Sequence, residues 1–352
     1  MEKKPSLRSI AQQAGVSTTL VSYVLNGKMQ NRIKPEVAAR VREIAKRLNY
    51  SPNQIARSLK ASKTFTIGLV VADISNPFSS EMARIIEDQA DKAGYTVIYG
   101  SCDERAEKFQ KLIEVFLDRR VDGLIVIPCD GVLPQIQYLQ SRDIPFVLVD
   151  RYFPDLASSY VALDNYQASF MGTNHLLDHG HRRIGMITLD TQLYHMQERT
   201  RGFISALSDV DSSPEQSIVR LREGFSAQDM ADAFDILLKR DLPVSALYLT
   251  TNKLGMHALK YIHSRKIQVP QELAVVSFDE TEFLDLFATP VTQIIQPLQE
   301  MGSQAVRILM ESIGGNSSFT QLNLQPLLAV RGSSIGGGKR PDFERELVGR
   351  TL

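Results

Sequence analysis

Several polar residues of this 352-residue chain directly follow runs of apolar residues, where their side chains could bind a small molecule. Asp279 follows AVVSF, Asp73 follows IGLVVA, and Asp150 and Arg151 follow FVLV. If these runs are parallel strands, the polar residues lie at the carboxyl ends of a sheet, where open α/β sheets bind ligands. The strand-end residues of this kind are Asp73, Asn76, Asp150, Arg151, Asp164, Asn165, Asn252 and Asp279.

Two of the candidate positions have an alternative structural explanation. Asp279 is our strongest single candidate for a ligand contact, but its carboxylate could instead cap a helix that begins at Thr281. Phe78, in the triplet NPF, could stack on a sugar or a base, or it could be a core aromatic in the first turn of a helix. The sequence leaves both alternatives open.

Motifs of enzymes, metals and cofactors are missing from the sequence. No Gly-rich phosphate loop follows the first apolar run, and there is no Gly-x-Ser-x-Gly or His-Glu-x-x-His motif. The two cysteines, Cys102 and Cys129, have no zinc-like spacing. We therefore predict a binding protein that is not an enzyme and has no metal or cofactor.

The charge is divided unevenly along the chain. Residues 1–63 carry thirteen lysines and arginines against three glutamates, a net charge of +10, although the whole chain is neutral. The remaining residues must therefore carry a net charge of −10. A basic module on an acidic body predicts that the N-terminal end binds a polyanion.

The basic segment has the pattern of three short helices. Ser6 can cap a helix that ends before Gly15, Ser17 can cap a second through Leu25, and Pro35 begins a third. Such a helix-turn-helix could place the polar face of its second helix in the major groove of DNA. A small helical bundle that docks onto a protein is the alternative, and the charge favours DNA. The predicted DNA-facing residues are Ser17, Thr18, Thr19, Ser22, Tyr23 and Asn26.

A further short helix is predicted from Asn53 to Lys60, after the chain break at Pro52. It is too short to be stable alone in water, so we expect it to form on a partner. Leu59 has no evident core to join and could act as a minor-groove wedge. The predicted DNA contacts of this hinge segment are Asn53, Ala56 and Leu59.

From Phe65 onward the sequence alternates apolar runs with amphipathic segments, which predicts repeated β-α-β units and a parallel sheet. About nine parallel strands, interrupted by a loop-like break over residues 151–165, predict two doubly wound α/β halves facing a cleft. No apolar run is long enough to cross a membrane, and the N-terminus has no secretory signal pattern, so we expect a cytoplasmic protein.

Five motifs in order along Leu7–Ser334 resemble those of the LacI/GalR family of bacterial transcription regulators. They are IAQQAGVSTTLVSYVLNG, LNYSPNQIARSL, IGLVVADISNPF, GHRRIG and AVVSFDE. The resemblance implies a homodimeric regulator, expected to be a repressor, with a periplasmic-binding-protein-like body. It also implies a pseudo-palindromic operator and an effector, expected to be a sugar or related metabolite, between the two halves.

The resemblance also implies roles for individual residues. The segment matching Asn53 to Lys60 is the family's hinge helix, and Arg199, Asn252 and Asp279 match its effector-binding residues. Lys253 and Tyr23 depart from the family pattern, in which the position of Tyr23 is usually an arginine that reads guanine. The predicted effector-binding residues are Asp73, Phe78, Arg151, Asp164, Arg199, Asn252 and Asp279.

The expected domain bounds follow from the same resemblance. They are 1–50 for the helix-turn-helix, 51–63 for the hinge and linker, 64–335 for the body, and 336–352 for a flexible tail. Within the body, residues 64–163 and 292–326 would form one half, and residues 164–291 and 327–335 the other. A solute-binding protein and a regulator controlled mainly by a protein partner are the rival interpretations, and the basic module argues against the first.

Overall fold

A computed structural model describes residues 5–25, 29, 32–50, 63–210 and 213–335. The chain divides into two compact units, with the boundary between Thr64 and Phe65. The predicted hinge segment, with Asn53, Ala56 and Leu59, lies outside the described residues, as do Asn26 and the tail. None of the helices in the described part of the chain is long and apolar enough to span a membrane.

The N-terminal unit contains the three predicted helices, α1 (Leu7–Ala14), α2 (Thr18–Leu25) and α3 (Pro35–Arg47). Ser6 begins α1 with a reciprocal cap, because its hydroxyl accepts from the Ser9 amide while the Ser9 hydroxyl accepts from the Ser6 amide. Gly15 ends α1 with φ of 66°, a left-handed conformation that glycine adopts without strain. This turn separates α1 from α2.

The core of this unit joins one apolar face from each helix. Ile10 and Ala14 of α1, Val21 of α2, and Val41 and Ile44 of α3 are buried against one another. Val21 and Val24, one turn apart on α2, are both buried, so the opposite face of the helix faces solvent.

The body contains twelve strands among its described residues, arranged in two six-stranded sheets. The first sheet has the order β11-β5-β4-β3-β1-β2 and the second the order β12-β10-β9-β8-β6-β7. All neighbouring strands are parallel except β10 and β12. The strands are β1 (Thr66–Val71), β2 (Thr96–Ser101), β3 (Gly123–Val126), β4 (Phe146–Val149), β5 (Tyr160–Leu163), β6 (Ile184–Leu189), β7 (Ile218–Leu221), β8 (Ala246–Leu249), β9 (Ala274–Phe278), β10 (Thr292–Ile295), β11 (Gln321–Leu324) and β12 (Leu327–Ala329).

Helices cover both faces of each sheet, as expected for doubly wound halves. On the first sheet α4 and α12 pack on one face and α5 and α6 on the other. On the second sheet α7 and α8 oppose α9 and α10. The body helices are α4 (Pro77–Lys92), α5 (Ala106–Asp118), α6 (Leu133–Ser141), α7 (Asn165–Asp178), α8 (Tyr194–Leu207), α9 (Ala227–Leu238), α10 (Asn252–Arg265), α11 (Glu282–Asp285) and α12 (Leu298–Ile313).

The chain passes between the two sheets three times, after β5, after β10 and after β11. The expectation that Thr292–Ile295 returns to the first half is wrong, because this strand pairs with β9 of the second sheet and buries Ile294 there. The return begins with α12, which packs on the first sheet beside α4.

Three short strands were not predicted. Tyr160–Leu163 falls within the stretch predicted as a break, and Gln321–Leu324 and Leu327–Ala329 lie beyond the last predicted helix. Each has only three or four residues, too few for a periodic pattern to distinguish a strand from a loop.

Candidate functional site

The polar face of α2 is the candidate DNA-reading surface of the N-terminal unit. Thr18 and Thr19 are exposed, whereas Ser22 and Tyr23 are half-buried. The Ser17 hydroxyl accepts a hydrogen bond from the Leu20 amide at 3.2 Å, so this side chain also caps the helix. The short threonine side chains allow the helix backbone to approach base edges closely.

A second candidate site lies between the sheets of the body, where Arg199 of α8 is almost completely buried. Its Nε donates to the Asn165 side-chain oxygen at 2.8 Å, and its Nη1 donates to the Thr250 carbonyl at 2.7 Å. The guanidinium carbon lies 3.4 Å from the centre of the Phe278 ring. Burial lowers the pKa of Arg199, although the nearby Asp279 and Asp150 carboxylates oppose this shift. Arg199 is therefore not part of a surface salt bridge.

Close packing of α7 and α8 places Arg199 at this depth. A side chain on Gly202 would put its Cβ 2.2 Å from the Tyr166 carbonyl oxygen and 3.0 Å from the Phe170 nitrogen. Any larger residue would push α8 away from α7. Gly202 therefore helps to position Arg199 three residues earlier on the same helix.

Asp279 follows β9 in a left-handed conformation, with φ of 68°, and is buried. Its Oδ1 accepts from the Gln296 Nε2 at 2.7 Å, and its Oδ2 accepts from the Asn252 amide at a longer 3.4 Å. The short helix α11 has Thr281 as its N-terminal flanking residue, without a side-chain cap. Asp279 therefore does not cap the helix that follows it, and its carboxylate faces the region between the sheets.

Asp150 and Arg151 follow β4 on the opposite side of the same region. Asp150 is buried, with φ of 65°, and its Oδ1 has no hydrogen-bond partner. Burial raises its pKa to about 6, and the Asp279 and Glu104 carboxylates add to the shift while Arg151 and Arg199 oppose it. Arg151 makes a two-pronged ion pair with Glu104, with both N–O distances 2.9 Å. The charge of Arg151 is thus largely neutralised by its own half of the body.

Two predicted effector-binding residues are engaged locally. Asp73 Oδ1 accepts from the amide and the hydroxyl of Ser75, at 2.9 and 2.8 Å. Asp164 caps α7 by accepting from the Gln167 amide at 2.9 Å. These local hydrogen bonds explain why a carboxylate occurs at each of the two positions.

The remaining predicted residues lie beside Asp279. The Asn252 side chain donates to the Asn76 Oδ1 at 2.8 Å, which links α10 to the start of α4 across the two halves. Phe78, in the first turn of α4, is buried in the core of the first half, and it also lines a cavity together with Asp279. Lys253 points away from this region, because its ammonium group pairs with Glu223.

Sequence reasoning missed His195, Gln296 and Thr281 as candidate site residues. His195 is buried one turn before Arg199, and burial, with the neighbouring Arg151 and Arg199 charges, lowers its pKa well below the usual range. Its spacing of four from Arg199 is a signal that could have revealed it. Gln296 directly follows β10 and would have joined the strand-end residues if that strand had been placed in the second sheet.

Several buried polar atoms in this region have no hydrogen-bond partner within the protein. The buried atoms without a hydrogen-bond partner here include Asp150 Oδ1, His195 Nδ1, Thr281 Oγ1 and Gln296 Oε1. Buried polar atoms without protein partners are rare, so this group makes the region a candidate for binding a small molecule or ordered water. We call the region bounded by Asp150, His195, Arg199, Asp279 and Gln296 the cleft.

Contacts across the cleft join loops of the two halves. Asp130, after β3, accepts from the Thr191 hydroxyl at 2.8 Å and from the Gln192 amide at 3.3 Å. The Tyr152 and Tyr194 rings meet edge to face, with their centres 5.3 Å apart. The two halves therefore touch directly near the cleft.

Comparison with known protein families agrees with this division of the chain. Residues 6–53 match the family described as bacterial regulatory proteins, lacI family. Residues 173–334 match the periplasmic binding protein-like domain.

Relatives of similar length share both parts. The chain is 30% identical to the HTH-type transcriptional regulator DegA of Bacillus subtilis, over 94% of this chain and 98% of that protein. It is 31% identical to the HTH-type transcriptional repressor PurR of Aliivibrio salmonicida, over 88% and 92% of the two chains.

Solved structures resemble it over most of its length. A complex of the transcriptional regulator CelR with cellobiose is 26% identical, covers 94% of this chain and 99% of its own, and superposes with a TM-score of 0.70. The lac repressor dimer bound to operator and an anti-inducer is 21% identical, covers 95% of this chain and all of its own, and has a TM-score of 0.83. The helix-turn-helix unit, the two-sheet body and the full-length relatives together establish that the chain belongs to the lacI family of bacterial regulatory proteins.

Proposed function

We propose that the protein is a dimeric transcriptional repressor whose affinity for operator DNA is controlled by a small molecule bound in the cleft. The observation that carries this proposal is the convergence of Asp150, Arg199 and Asp279, buried side chains from three separate elements, around unpaired polar atoms. A protein with no ligand to bind would gain stability by replacing such groups with apolar residues.

We propose a sugar or related metabolite as the effector. The Asp150 Oδ1 and Gln296 Oε1 atoms are unpaired acceptors, and a polyhydroxylated molecule supplies several donors to acceptors of this kind. The CelR structure with cellobiose supports this class, because it pairs a similar body with a sugar. The relatives are named as transcription regulators, so we propose that the chain likewise regulates transcription in the bacterial cytoplasm and is not an enzyme.

On the DNA side, we propose that Ser17, Thr18, Thr19, Ser22, Tyr23 and Asn26 face the major groove and that Asn53, Ala56 and Leu59 contact the minor groove. One helix-turn-helix buries too little surface for specific binding, so two copies on a pseudo-palindromic site suit this unit.

The test of the effector site begins with a thermal-shift screen of the full-length protein against sugars, nucleosides and nucleobases. Calorimetry with the compound found would then compare the wild type with Arg199→Ala and Asp279→Asn. Each variant should weaken binding by about 1–3 kcal/mol, because a buried ligand group loses its partner. Asp241→Ala, on an exposed loop of the same half, is the control. Unchanged affinity in both cleft variants, with folding verified by circular dichroism, would remove the cleft as the effector site.

A further inference from the structure

A cavity of about 510 Å³ opens at the end of the cleft next to Asp279. It lies between the start of α4, the start of α12 and the ends of β9 and β10, where the chain passes from one half to the other. Phe78, Ile295 and Leu298 form apolar parts of its wall. Its volume is in the range of sites that hold small organic ligands.

The charged groups around this cavity all have the same sign. The buried Asp279 and the exposed Glu81, Glu280 and Glu300 line it, and none of the lining residues is lysine, arginine or histidine. Among the described residues, no basic side chain pairs with Glu81, Glu280 or Glu300. Glu300 lies in the first turn of α12, where the helix dipole stabilises a carboxylate. The dipole of α12 does not account for Glu280, which lies outside that helix.

A buried acceptor provides a second and independent observation. Gln296 is only 7% exposed to solvent, and it lines the same cavity. Its Nε2 is committed to Asp279, which leaves its Oε1 without a hydrogen-bond partner. A buried amide oxygen without a partner needs a donor, and neighbouring carboxylates at neutral pH supply none.

We propose that the effector carries a protonated amine, which binds in this cavity among the four carboxylates and near the Gln296 amide oxygen. An ammonium group supplies up to three donors and the missing positive charge, while the apolar wall accommodates a carbon skeleton. This inference rests on the proposed function, since it specifies the chemical class of the molecule that the cleft binds.

Matched pairs of probes test the inference by calorimetry on the full-length protein. The pairs are glucosamine and glucose, putrescine and 1,4-butanediol, and phenethylamine and 2-phenylethanol, in which an amine replaces a hydroxyl on the same skeleton. We expect at least one amine to bind at least tenfold more tightly than its hydroxyl partner. That preference should fall at least fivefold in the double variant Glu81→Gln/Glu280→Gln.

Glu87→Gln is the control, because it removes the same charge from α4 at an exposed position outside the cavity. It should leave the preference unchanged. The inference is overturned if no amine binds more tightly than its partner in any pair, or if the preference survives in the double variant. A neutral sugar that binds in the cleft without any gain from an amine would overturn this inference and leave the proposed function intact. Loss of the proposed function would appear separately, as ligand binding that is unaffected by Arg199→Ala and Asp279→Asn.

Discussion

At the scale of single residues, the buried carboxylate of Asp150 reduces the stability of the folded protein when it is ionised. Its carboxylate is buried, has one unpaired oxygen, and lies close to a second buried carboxylate, Asp279. The nearest guanidinium belongs to Arg151, which is already paired with Glu104. Because the site lacks full compensation, ionisation of Asp150 in the free protein is unfavourable.

The pH dependence of stability should reveal this cost. The pKa of Asp150 is raised from its ordinary value of 3.8 to about 6, so between these values the folded protein holds a proton that the unfolded chain has released. Stability is therefore lost as the pH rises toward 6, by on the order of 3 kcal/mol when the group is fully ionised. We expect Asp150→Asn to be more stable than the wild type at pH 7.5, by about 1–3 kcal/mol, with a smaller advantage at pH 5.

Urea unfolding at pH 5, 6 and 7.5 measures this difference, with Asp241→Asn as the control for loss of an exposed carboxylate. An advantage that is the same at all three pH values, or a variant less stable than the wild type at pH 7.5, would contradict the prediction.

Residue-level prediction from the sequence was strongest where a residue follows a clear strand. Asp279 and Asn252 were both predicted at strand ends, and the Asn252 backbone amide donates to the Asp279 carboxylate at 3.4 Å. Arg199 could be identified only through the family resemblance, because it lies within a helix and its burial depends on the contact of Gly202 with α7. Asp73 follows a predicted strand just as clearly, but its carboxylate bonds to its own loop. Asp164 lies at the end of the predicted break and caps its own helix, which its position in the sequence alone does not predict.

At the scale of secondary-structure elements, α2 depends on two local signals and one packing signal. The capping by Ser17 and the turn at Gly15 set its start, and Val21 fixes which face is buried. Together they leave Thr18 and Thr19 exposed, with Tyr23 half-buried one turn later on the polar side. These signals are all local in sequence, and for this reason the three helices of the unit could be predicted closely.

Tyr23 should determine base preference at one position of each operator half-site. Tyr23→Arg introduces a planar pair of donors that matches the acceptors of guanine, so it should shift the preference at that position by about 1–3 kcal/mol. Selection of binding sites from random DNA with both proteins measures the change. Tyr23→Phe, which removes only the hydroxyl, serves as the comparison. If Tyr23→Arg selects the same consensus as the wild type, this residue does not read a base.

The strands of the body illustrate where local signals fail. Long apolar runs such as Thr66–Val71 are recognisable because they are buried on both faces. By contrast, the sheet membership of Thr292–Ile295 depends on its parallel pairing with β9 and its antiparallel pairing with β12. No periodicity within four residues contains that information.

At the scale of the whole molecule, the N-terminal segment and the rest of the chain carry opposite net charges. Residues 1–63 carry a net charge of +10 and the rest a net charge of −10. The logarithm of operator affinity should therefore fall steeply with the logarithm of salt concentration, by about 0.9 for each phosphate neutralised. Fluorescence anisotropy with a labelled operator between 50 and 300 mM salt measures the slope.

A chain that begins at Phe65 should lose nearly all DNA binding, and retention of full affinity would assign the binding to the body.

The contacts across the cleft should connect effector and operator affinity. Asp130 accepts two hydrogen bonds from the opposite half, and Asp130→Ala removes both without touching the buried polar groups of the cleft. Each bond contributes about 0.5–1.5 kcal/mol to the arrangement in which the halves meet, so the variant should populate that arrangement less. An effector that favours one arrangement should then bind with altered affinity. Operator affinity should change as well, and the factor by which effector alters operator binding must equal the factor by which operator alters effector binding.

Calorimetry and anisotropy on Asp130→Ala and on the exposed control Asp241→Ala measure both factors. Altered effector affinity with operator affinity unchanged, in the presence and absence of effector, would mean that the closure of the two halves does not control DNA binding.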